Sequence, residues 1–390
     1  MTKLEELIQE LCPDGVEFCP LEQCCNILDK KRKPVTKSAR EAGDYPYYGA
    51  NGIQDYVSDY IFDGTFILVG EDGSVITDRG TPVVTWASGK IWVNNHAHII
   101  EESGDVLLRY LYHYIQTIDV SPLIHGNIPK LTGGDFKALQ IPVPPLPVQR
   151  EIVRILDNFT ELTAELTAEL TARKQQYAYY RDKLLTPRTD YRHGKIIDML
   201  KQPITDGPHT TPELMEDGIP FLSVEAVFDG KIHFEKRRGN ITPEFDAECC
   251  KKYKPQKHDI FMVKSGSTTG KVGYVDTDER FNIWSPLAAM RVNSENSSRY
   301  LFHLLQSKMV QQQVVAKASH GSQPNLSMRA LEQFDVVIPP LDIQLRLANV
   351  LDNFDAICTD LNIGLPAEIE ARQKQYEYYR DKLLTFTPAD

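Results

Sequence analysis

Residues 144–159 (PPLPVQREIVRILDNF) recur as residues 339–354 (PPLDIQLRLANVLDNF), with eight of the sixteen positions identical at an offset of 195 residues. Self-similarity at a fixed period is the sequence signature of a duplicated architecture. The chain has 390 residues, so the offset is half of its length. We therefore predict that the protein consists of two copies of one structural plan.

Two further pairs of segments support the duplication. Residues 173–186 and 372–385 agree at eleven of fourteen positions at an offset of 199, so the second copy has four extra residues between its matching segments. Upstream, residues 109–116 (RYLYHYIQ) match residues 299–306 (RYLFHLLQ). Each half therefore has a variable region, a Pro-Pro-Leu segment, and a stretch that ends in Tyr-Tyr-Arg-Asp-Lys-Leu-Leu-Thr.

The stretches that follow Pro-Pro-Leu have helical periodicity. In the first copy, apolar residues recur at spacings of three and four, at Ile152, Ile155, Phe159, Leu162, Leu166 and Leu170. A helix over residues 148–185 would be about 57 Å long, too long to bury its apolar stripe against one small domain. We therefore predict two long antiparallel spacer helices that pack together as a coiled coil. Gly364–Pro366 predicts a kink or restart in the second one.

The remaining regions are rich in short β-type runs broken by Gly, Asn and Asp, such as residues 65–69, 82–86 and 259–263. This pattern favours an α+β fold with two mixed domains in a pseudo-twofold arrangement. The predicted division is a short N-terminal helix at 1–13, a first domain at 14–143, a central spacer helix at 144–186, a second domain at 187–338 and a C-terminal spacer helix at 339–390.

Composition is that of an average globular protein, with 42% hydrophobic and 25% charged residues. No apolar run approaches the roughly 20 residues needed to cross a bilayer, and the first ten residues are acidic, unlike a signal peptide. We expect a cytoplasmic protein with no membrane association. The seven cysteines are odd in number and lack metal-ligand spacing, so free thiols and no bound metal are expected.

These features together resemble the specificity subunit of type I restriction-modification systems, and the resemblance covers nearly the whole chain. It rests on two diverged regions, each followed by Pro-Pro-Leu-x-x-Gln and a long segment ending in Tyr-Arg-Asp-Lys-Leu-Leu. The resemblance implies two target recognition domains, each reading half of a split site in double-stranded DNA. It also implies a non-catalytic chain with no cofactor of its own, because two methyltransferase subunits bring S-adenosylmethionine and, sometimes, restriction subunits use ATP and magnesium.

The net charge of −11 is unusual for a chain that binds DNA alone, because Lys and Arg contacts to phosphate supply most non-specific affinity. Either DNA is not the ligand, or partner subunits supply much of the positive surface. A duplicated adaptor that binds other proteins is therefore one alternative, and a self-contained nuclease or methyltransferase is another. The second lacks support, since neither an Asn-Pro-Pro-Tyr or Asp-Pro-Pro-Tyr motif nor a glycine-rich cofactor turn occurs in the sequence.

Candidate DNA contacts are cations for phosphates and polar side chains for base edges. In the first domain they are Lys30, Lys31, Arg32, Lys33, Tyr48, Asn51, Asn94, Asn95, His96, His125, Asn127 and Lys130. In the second domain they are His209, Thr210, Lys236, Arg237, Arg238, Lys252, Ser267, Thr268, Thr269, Lys271, His320, Ser322, Gln323 and Asn325. A solvated loop at 30–33 and a structural turn at the repeated His-Gly pairs are equally consistent with the sequence.

Two motifs that suggest other chemistry do not fit their templates. Residues 266–272 mimic a phosphate-binding loop but have three residues between the glycines instead of four, and Val272 where a Ser or Thr should bind magnesium. The histidines of residues 94–98 have no acidic or Cys partner at ligand spacing, so no metal is predicted there.

Several polar residues recur on the two predicted spacer helices. They are Gln149, Asp157, Asn158, Tyr180 and Arg181 in the first copy, and Gln344, Asp352, Asn353, Tyr379 and Arg380 in the second. A repeated polar residue on a long helix indicates either a docking face for another subunit or a contact that pairs the helices. The sequence leaves both interpretations open.

The first spacer also contains a tandem four-residue unit, Thr-Ala-Glu-Leu, at 163–166 and 167–170. Each unit lengthens a helix by about 6 Å, a little under two base pairs of DNA. We hypothesise that the number of units sets the unread gap between the two half-sites. An Ala- and Glu-rich helix without this role is the alternative.

Overall fold

The computed structural model describes residues 2–73, 75–125, 127–186, 191–319, 323–360 and 363–389. The chain forms two compact units, which we call unit 1 (Met1–Glu165 with Ile369–Asp390) and unit 2 (Leu166–Glu368). Unit 1 is therefore discontinuous in sequence, whereas unit 2 is one continuous stretch.

Unit 1 is built around a six-stranded sheet with the strand order β2-β7-β5-β6-β3-β4, in which β3 and β6 are parallel and the other neighbours antiparallel. Its elements begin with α1 Lys3–Leu11, β1 Phe18–Pro20, α2 Leu21–Cys24, β2 Cys25–Ile27, β3 Ala42–Gly49, β4 Gly52–Val57, β5 Phe62–Gly70, β6 Val84–Val93 and β7 Ala97–Glu102. They continue with α3 Leu108–Ile115, β8 Ile124–His125, β9 Lys130–Leu131, α4 Gly133–Lys137, β10 Gln140–Pro142 and the first part of α5 Leu146–Leu184. Short 3-10 turns span Asp29–Lys31, Lys37–Ala39 and Ser121–Leu123.

Unit 2 contains a four-stranded antiparallel sheet, β12-β20-β17-β18, and a three-stranded sheet, β16-β13-β19. Its strands are β11 Arg192–Lys195, β12 Thr205–Asp206, β13 Ile219–Leu222, β14 Val227–Phe228, β15 Lys231–Ile232, β16 Gly239–Ile241, β17 Ile260–Val263, β18 Val272–Tyr274, β19 Asn282–Ile283, β20 Leu287–Met290 and β21 Asp335–Ile338. Its helices are α6 Pro243–Lys252, α7 Ser298–Gln306, α8 Lys308–Lys317, α9 Met328–Glu332, α10 Leu341–Thr359 and the start of α11 Leu365–Leu383. Short 3-10 turns span Ile196–Met199, Val224–Ala226 and Phe234–Lys236.

The two units repeat one topology. The order β2-β7-β5-β6 in unit 1 corresponds to β12-β20-β17-β18 in unit 2, with antiparallel pairing throughout. In both, a Tyr-containing helix follows the second of these strands, and a strand before the sheet pairs antiparallel with the strand just before Pro-Pro-Leu. The Tyr hydroxyls of α3 and α7, from Tyr110 and Tyr300, donate to carbonyls of those last strands at 3.0 and 2.9 Å. The predicted α+β fold and its duplication are confirmed.

The central spacer is one continuous helix, α5, whose bounds differ from the predicted ones by two residues or fewer. The second spacer restarts as predicted: α10 ends at Thr359 and α11 begins at Leu365, which leaves Pro366 in the first turn, where a missing N–H costs little.

Each unit contains its own contact between spacer helices. In unit 1, the rings of Phe159 on α5 and Tyr379 on α11 stack with centroids 5.3 Å apart. In unit 2, Tyr180 on α5 and Phe354 on α10 stack at 5.6 Å. There α5 and α10 run antiparallel: Lys174, earlier on α5 than Tyr180, lines one cavity with Cys358, which is later on α10 than Phe354.

Two hydrophobic cores in each unit bury the strands. In unit 1, the larger core joins Leu4 of α1, Ile67 of β5, Leu156 of α5 and Leu384, so both ends of the chain contribute to it. In unit 2, the larger core joins Met262 of β17, Leu301 of α7, Leu351 of α10 and Leu185. Burial of this apolar surface is the main stabilising term for both units.

Candidate nucleic-acid interface

A short run of lysines forms a local positive surface on unit 1. Lys30, Lys31 and Lys33 are exposed where the chain leaves β2 through a 3-10 turn. Each side chain can reach a phosphate without losing an existing partner, because no hydrogen bond or ion pair holds its ammonium group among the contacts of the described residues. The geometry is compatible with the predicted phosphate contacts of these three lysines.

Arg32 lies in the same run but faces inward, so its predicted phosphate contact is not supported. Its Nη1 donates to Oε2 of Glu71 and to the carbonyl oxygen of Ala97, both at 2.6 Å, and its Nε donates to the carbonyl of Asp29 at 2.9 Å. Only 12% of the side chain is exposed. A guanidinium offers its N–H groups in a rigid fork, and here carboxylate and carbonyl oxygens fill it. Arg32 therefore anchors the lysine run to the sheet.

A buried histidine completes this anchor. Nδ1 of His98 lies 2.7 Å from Oδ2 of Asp29, and Nε2 lies 3.1 Å from the carbonyl oxygen of Leu131. Both ring nitrogens therefore have hydrogen-bond partners within the protein. Burial raises the pKa of Asp29, but the hydrogen bond and charge of His98, together with Arg32, outweigh it and hold the pKa below its ordinary value.

The ligand atoms of Asp29, Glu71 and His98 lie within 4.8 Å of one another, a spacing that a metal ion could bridge. The carboxylate of Glu71, however, already pairs with Arg32 at 2.6 Å and with Lys130 at 3.2 Å. His98 has used both nitrogens, as described above. The donor set is therefore a charge network between protein groups and does not fit a cation.

The polar candidates near β3 and β7 divide into buried and exposed groups. Tyr48 and Asn94 are buried, and Asn94 acts within a turn: its Oδ1 accepts from the backbone N–H of His96 at 2.8 Å, and its Nδ2 donates to Gln54 at 3.3 Å. Neither side chain is placed to read a base. The exposed candidates are Asn51, Asn95, His96, Asn127 and Lys130, of which His96 pairs with Asp72. The side chain of His125 lies outside the described residues.

In unit 2, most of the predicted contacts are exposed. They are His209, Thr210, Lys236, Arg237, Arg238, Lys252, Ser267, Lys271, Gln323 and Asn325. Thr268 and Thr269 are half-buried, and the hydroxyl of Thr269 donates to the carbonyl of Gly266 at 2.7 Å, so Thr269 stabilises the turn. His320 and Ser322 lie outside the described residues.

Two contacts position cations on unit 2. The guanidinium of Arg238 lies 3.8 Å from the ring centroid of Trp284, a cation–π arrangement that fixes the arginine while leaving it exposed. The carboxylate of Asp206 is buried and pairs with Lys252 and, at 3.3 Å, with Lys264. Lys264 was not predicted from the sequence, since it directly follows the apolar strand β17.

The repeated glutamines of the spacers are internal. The side chains of Gln149 and Gln344 are fully buried at the start of α5 and α10. Oε1 accepts from the backbone N–H of Leu107 in one case and of Ser297 in the other, both at 2.9 Å, and Nε2 donates to the carbonyl of the first proline of Pro-Pro-Leu at 2.8 Å in each. These residues join each domain to its spacer and are not available as a docking face.

Asp157 and Asp352 also pair with their own domain. Oδ1 of Asp157 accepts from Nε of Arg109 and Nε2 of His113, both at 2.8 Å. In unit 2, the matching distances to Arg299 and His303 are 2.8 and 2.6 Å. Burial lowers the pKa of both histidines, against the opposing effect of the aspartates, so each is neutral with its hydrogen on Nε2.

Each neutral histidine accepts its second hydrogen bond from a tyrosine of a spacer helix. The hydroxyl of Tyr376 lies 3.0 Å from Nδ1 of His113, and that of Tyr177 lies 2.8 Å from Nδ1 of His303. Tyr376 belongs to the second sequence copy and His113 to the first, and the other pair is reciprocal. Sequence reasoning missed both histidines and tyrosines, although the repeated Arg-Tyr-Leu-x-His motif was the signal that could have found them.

Of the remaining repeated residues, Asn158, Asn353 and Tyr379 are exposed. Tyr180 and Tyr379 pair the helices, as described above. Asn158 and Asn353 are exposed at equivalent places on α5 and α10. The two interpretations left open by the sequence are thus divided among the residues: most pair elements within a unit, and the asparagines remain as docking candidates.

The equivalent arginines differ between the units. Arg380 donates to Oδ1 of Asp381 from Nε and Nη2, at 3.0 and 2.8 Å. Nε of Arg181 lies 3.6 Å from Oδ1 of Asp182. This Nε is buried and has no hydrogen-bond partner among the described residues.

These features define a duplicated, two-domain recognition protein, and comparison with known proteins identifies the family. The family model described as "Type I restriction modification DNA specificity domain" matches residues 13–173 and 208–371. The chain therefore belongs to the type I restriction-modification specificity family. It is a DNA specificity subunit, the non-catalytic member of such a system.

Two relatives match over most of their length. A putative type I restriction enzyme specificity subunit of Haemophilus influenzae is 36% identical over 99% of both chains. The EcoR124I/EcoR124II specificity subunit of Escherichia coli is 32% identical over 80% of both chains. Among solved structures, the S subunit from M. genitalium has a TM-score of 0.55 at 14% identity, covering 95% of this chain and 96% of that one, which shows a common fold. Across the described residues, no helix has the length and apolar character to span a membrane.

Proposed function

We propose that this subunit recognises an asymmetric, bipartite DNA target, with one half-site read by each recognition domain, residues 14–143 and 187–338. The observation that carries the proposal is the repetition of one strand order in two units whose exposed polar residues differ. Two domains with the same fold and different surfaces suit two different half-sites. In DNA-binding proteins with two recognition elements, the spacing of the half-sites follows from the spacing of those elements.

The proposed phosphate contacts are the exposed cations. In unit 1 they are Lys30, Lys31 and Lys33, held in place by Arg32; in unit 2 they are Lys236, Arg237, Arg238, Lys252 and Lys271. Base contacts fall to the exposed polar groups, which are Asn51, Asn95, His96 and Asn127 in unit 1 and His209, Thr210, Ser267, Gln323 and Asn325 in unit 2. Amide and imidazole groups can form the directional hydrogen bonds that distinguish bases in the major groove.

Two methyltransferase subunits are proposed to dock on the chain, one on each copy, and in some assemblies restriction subunits join them. Asn158 and Asn353 support this proposal, because they are exposed, polar and equivalent in the two copies. The partners would supply S-adenosylmethionine for methylation, and ATP and magnesium for restriction. Since the target is the cell's own DNA, the subunit is proposed to act in the cytoplasm.

Genome-wide mapping of methylated adenines in cells with and without this chain tests the proposal. We expect a motif in two parts separated by an unread gap, present only when the chain is present. Replacing residues 191–338 by the matching region of a relative should alter one part and leave the other unchanged. A contiguous motif, or changes in both parts, would contradict the assignment of one half-site to each domain.

Docking is tested separately by co-purification with the methyltransferase. Asn158→Arg and Asn353→Arg, singly and together, should lower the methyltransferase recovered per chain, with the double variant recovering least. The matched control is Gln175→Arg, an exposed amide further along α5. Equal recovery in the double variant and the control would rule out these asparagines.

A further inference from the structure

Unit 2 contains a cavity of about 620 Å³ between its spacer helices and its recognition domain. The charged side chains that line it are Lys174, Arg181, Lys231, Lys271, Asp229 and Asp355. Four cations against two carboxylates leave a surplus of two positive charges, although the chain as a whole is acidic. The volume is within the range of about 300–1,000 Å³ found for small-molecule sites.

The Nε of Arg181 has a hydrogen-bonding capacity that the described residues do not fill. In unit 1, the equivalent Arg380 donates to its neighbouring aspartate at 2.8 and 3.0 Å. In unit 2, Oδ1 of the neighbouring aspartate, Asp182, accepts the backbone N–H of Lys308 at 2.9 Å, at the start of α8. Nε of Arg181 lies 3.6 Å from that oxygen, close enough for an ion pair, and is buried without a hydrogen-bond partner among the described residues.

A second unpaired donor or acceptor lines the same cavity. Nε2 of His233 is buried and has no hydrogen-bond partner in the described part of the chain, while its Nδ1 lies 2.9 Å from Glu235. Buried polar atoms without partners are costly, and each one in a folded protein calls for an explanation such as an ion or ligand. A bound ligand would explain both atoms, Nε of Arg181 and Nε2 of His233, because both residues line the same positively charged cavity.

Lys231 is held by a hydrogen bond at the C-terminal end of α10, where the second spacer is interrupted before α11. Its Nζ donates to the carbonyl oxygen of Thr359, the last residue of α10, at 2.6 Å. An ammonium has three donors, so two remain for a ligand. The lining also includes the apolar side chains of Leu170, Val272 and Pro366 and the ring of Tyr177, against which an organic group can pack.

We propose that this cavity binds a phosphate-bearing small molecule, with the phosphate on Arg181, Lys231 and Lys271 and any organic portion on the apolar side chains of the lining. A dianionic phosphate balances the surplus of two charges, whereas a single carboxylate does not. Guanidinium and ammonium donors to phosphate oxygens are among the stronger hydrogen bonds in proteins. The site shares Lys271 with the proposed DNA phosphate contacts. Its failure would leave the assignment of half-sites untouched, because that assignment rests on the repeated strand order.

Calorimetric titration of the full chain, free of magnesium, with inorganic phosphate, ADP and adenosine tests the site. We expect one phosphate or ADP per chain and no saturable binding of adenosine. Arg181→Gln and Lys271→Gln should each weaken the binding by about tenfold or more, as loss of a charge-assisted hydrogen bond does. Arg380→Gln, the equivalent change in unit 1, should leave it unaltered.

Comparison of the three probes distinguishes the possible sources of the phosphate. ADP binding more tightly than phosphate identifies a nucleotide-like ligand, and equal affinities identify the free anion; both support the site. The proposal is overturned if no probe saturates, if adenosine binds as tightly as ADP, or if Arg380→Gln has the same effect as Arg181→Gln. It is also overturned if a short DNA duplex displaces ADP, since the occupant would then be the DNA backbone. Lys271 is exposed, so its variant decides the matter should Arg181→Gln fail to fold.

Discussion

The hydroxyl of Tyr376 donates a hydrogen bond of 3.0 Å to Nδ1 of His113, a residue 263 positions earlier in the chain. The reciprocal bond joins Tyr177 and His303 at 2.8 Å. In each unit, the bond connects the recognition domain of one sequence copy to the closing helix of the other copy. These two hydrogen bonds are therefore specific markers of the duplicated fold.

Loss of either tyrosine hydroxyl should destabilise its unit. Tyr376→Phe leaves Nδ1 of His113 buried without a partner, which we expect to cost about 1–3 kcal/mol in the free energy of unfolding. Urea unfolding of the full chain checks this. Tyr378→Phe is the matched control on the same helix, since Tyr378 is 61% exposed. An equal loss of stability in both variants would mean that the hydroxyl of Tyr376 has no special role.

Stability should fall as the pH drops below neutral. The pKa of His113 and of His303 is lowered in the folded protein from the ordinary value of 6.5, chiefly by burial. The unfolded chain therefore takes up protons before the folded chain does, so the contribution is complete above pH 6.5 and is lost as the pH falls through the folded pKa. The urea midpoint, measured from pH 8 down to pH 5, tests this slope.

The same measurement on His113→Gln with His303→Gln separates the histidines from other titrating groups. A glutamine retains a side-chain donor for the aspartate but does not titrate, so the slope between pH 7 and pH 5 should become shallower. Burial raises the pKa of Asp157 and of Asp352, but hydrogen bonds from His and Arg and the charge of Arg outweigh it, so the pKa of each is lowered and both remain charged over this range. An unchanged slope in the double variant would assign the pH dependence elsewhere.

The lysines at positions 30, 31 and 33 should determine how strongly DNA affinity depends on salt concentration. If Lys31 contacts a phosphate, Lys31→Gln should weaken binding to all sequences and lower the slope of log affinity against log salt by about 0.9. Lys137→Gln is the control of equal charge change on an exposed lysine in the same unit. Binding is measured between 50 and 200 mM salt, roughly the range over which phosphate contacts differ most. The same slope in both variants would exclude Lys31.

Arg32 should behave in the opposite way. Arg32→Gln removes one of the two cations that pair with Glu71, a carboxylate whose side chain is 13% exposed, and should lower the free energy of unfolding by about 1–3 kcal/mol. Its effect on the salt slope should be smaller than that of Lys31→Gln. A variant that keeps wild-type stability and loses salt dependence would restore the phosphate role predicted for Arg32 from the sequence.

The tandem Thr-Ala-Glu-Leu units should set the gap in the methylated motif. Deleting residues 167–170 shortens α5 by about 6 Å and turns it by slightly more than one full turn, so the apolar face stays nearly in place. We expect the unread gap to shrink by one or two base pairs, read by methylation mapping. Deleting only residues 171–172 rotates the rest of the helix by about 200° and should abolish assembly. An unchanged gap would rule out the hypothesis.

The fold could be predicted because its signals are local and repeated. The apolar stripe from Ile152 to Leu170 and the Pro-Pro-Leu segment placed α5 within two residues, and Pro366 placed the restart of the second spacer. Both rest on the spacing of residues within one element, and the second sequence copy provided an independent check.

The site was predicted less well, because side-chain direction depends on distant partners. Arg32 stands among lysines in sequence, but Glu71, which is 39 residues away, turns it inward. Asn94 and Asn95 are adjacent, yet one is buried within a turn and the other is exposed. The pairing of His113 with Tyr376 depends on contacts between the two sequence copies, which no local pattern encodes.

The discontinuity of unit 1 has a consequence for synthesis. Residues 369–390, including Tyr376 and Leu384 of its buried core, leave the ribosome after all of unit 2, whereas unit 2 needs nothing beyond residue 368. Domains generally fold as units while the chain emerges. Unit 2 can therefore complete its core first, although most of unit 1 is translated before it, and unit 1 must wait, with part of its apolar surface uncovered, for residues 369–390.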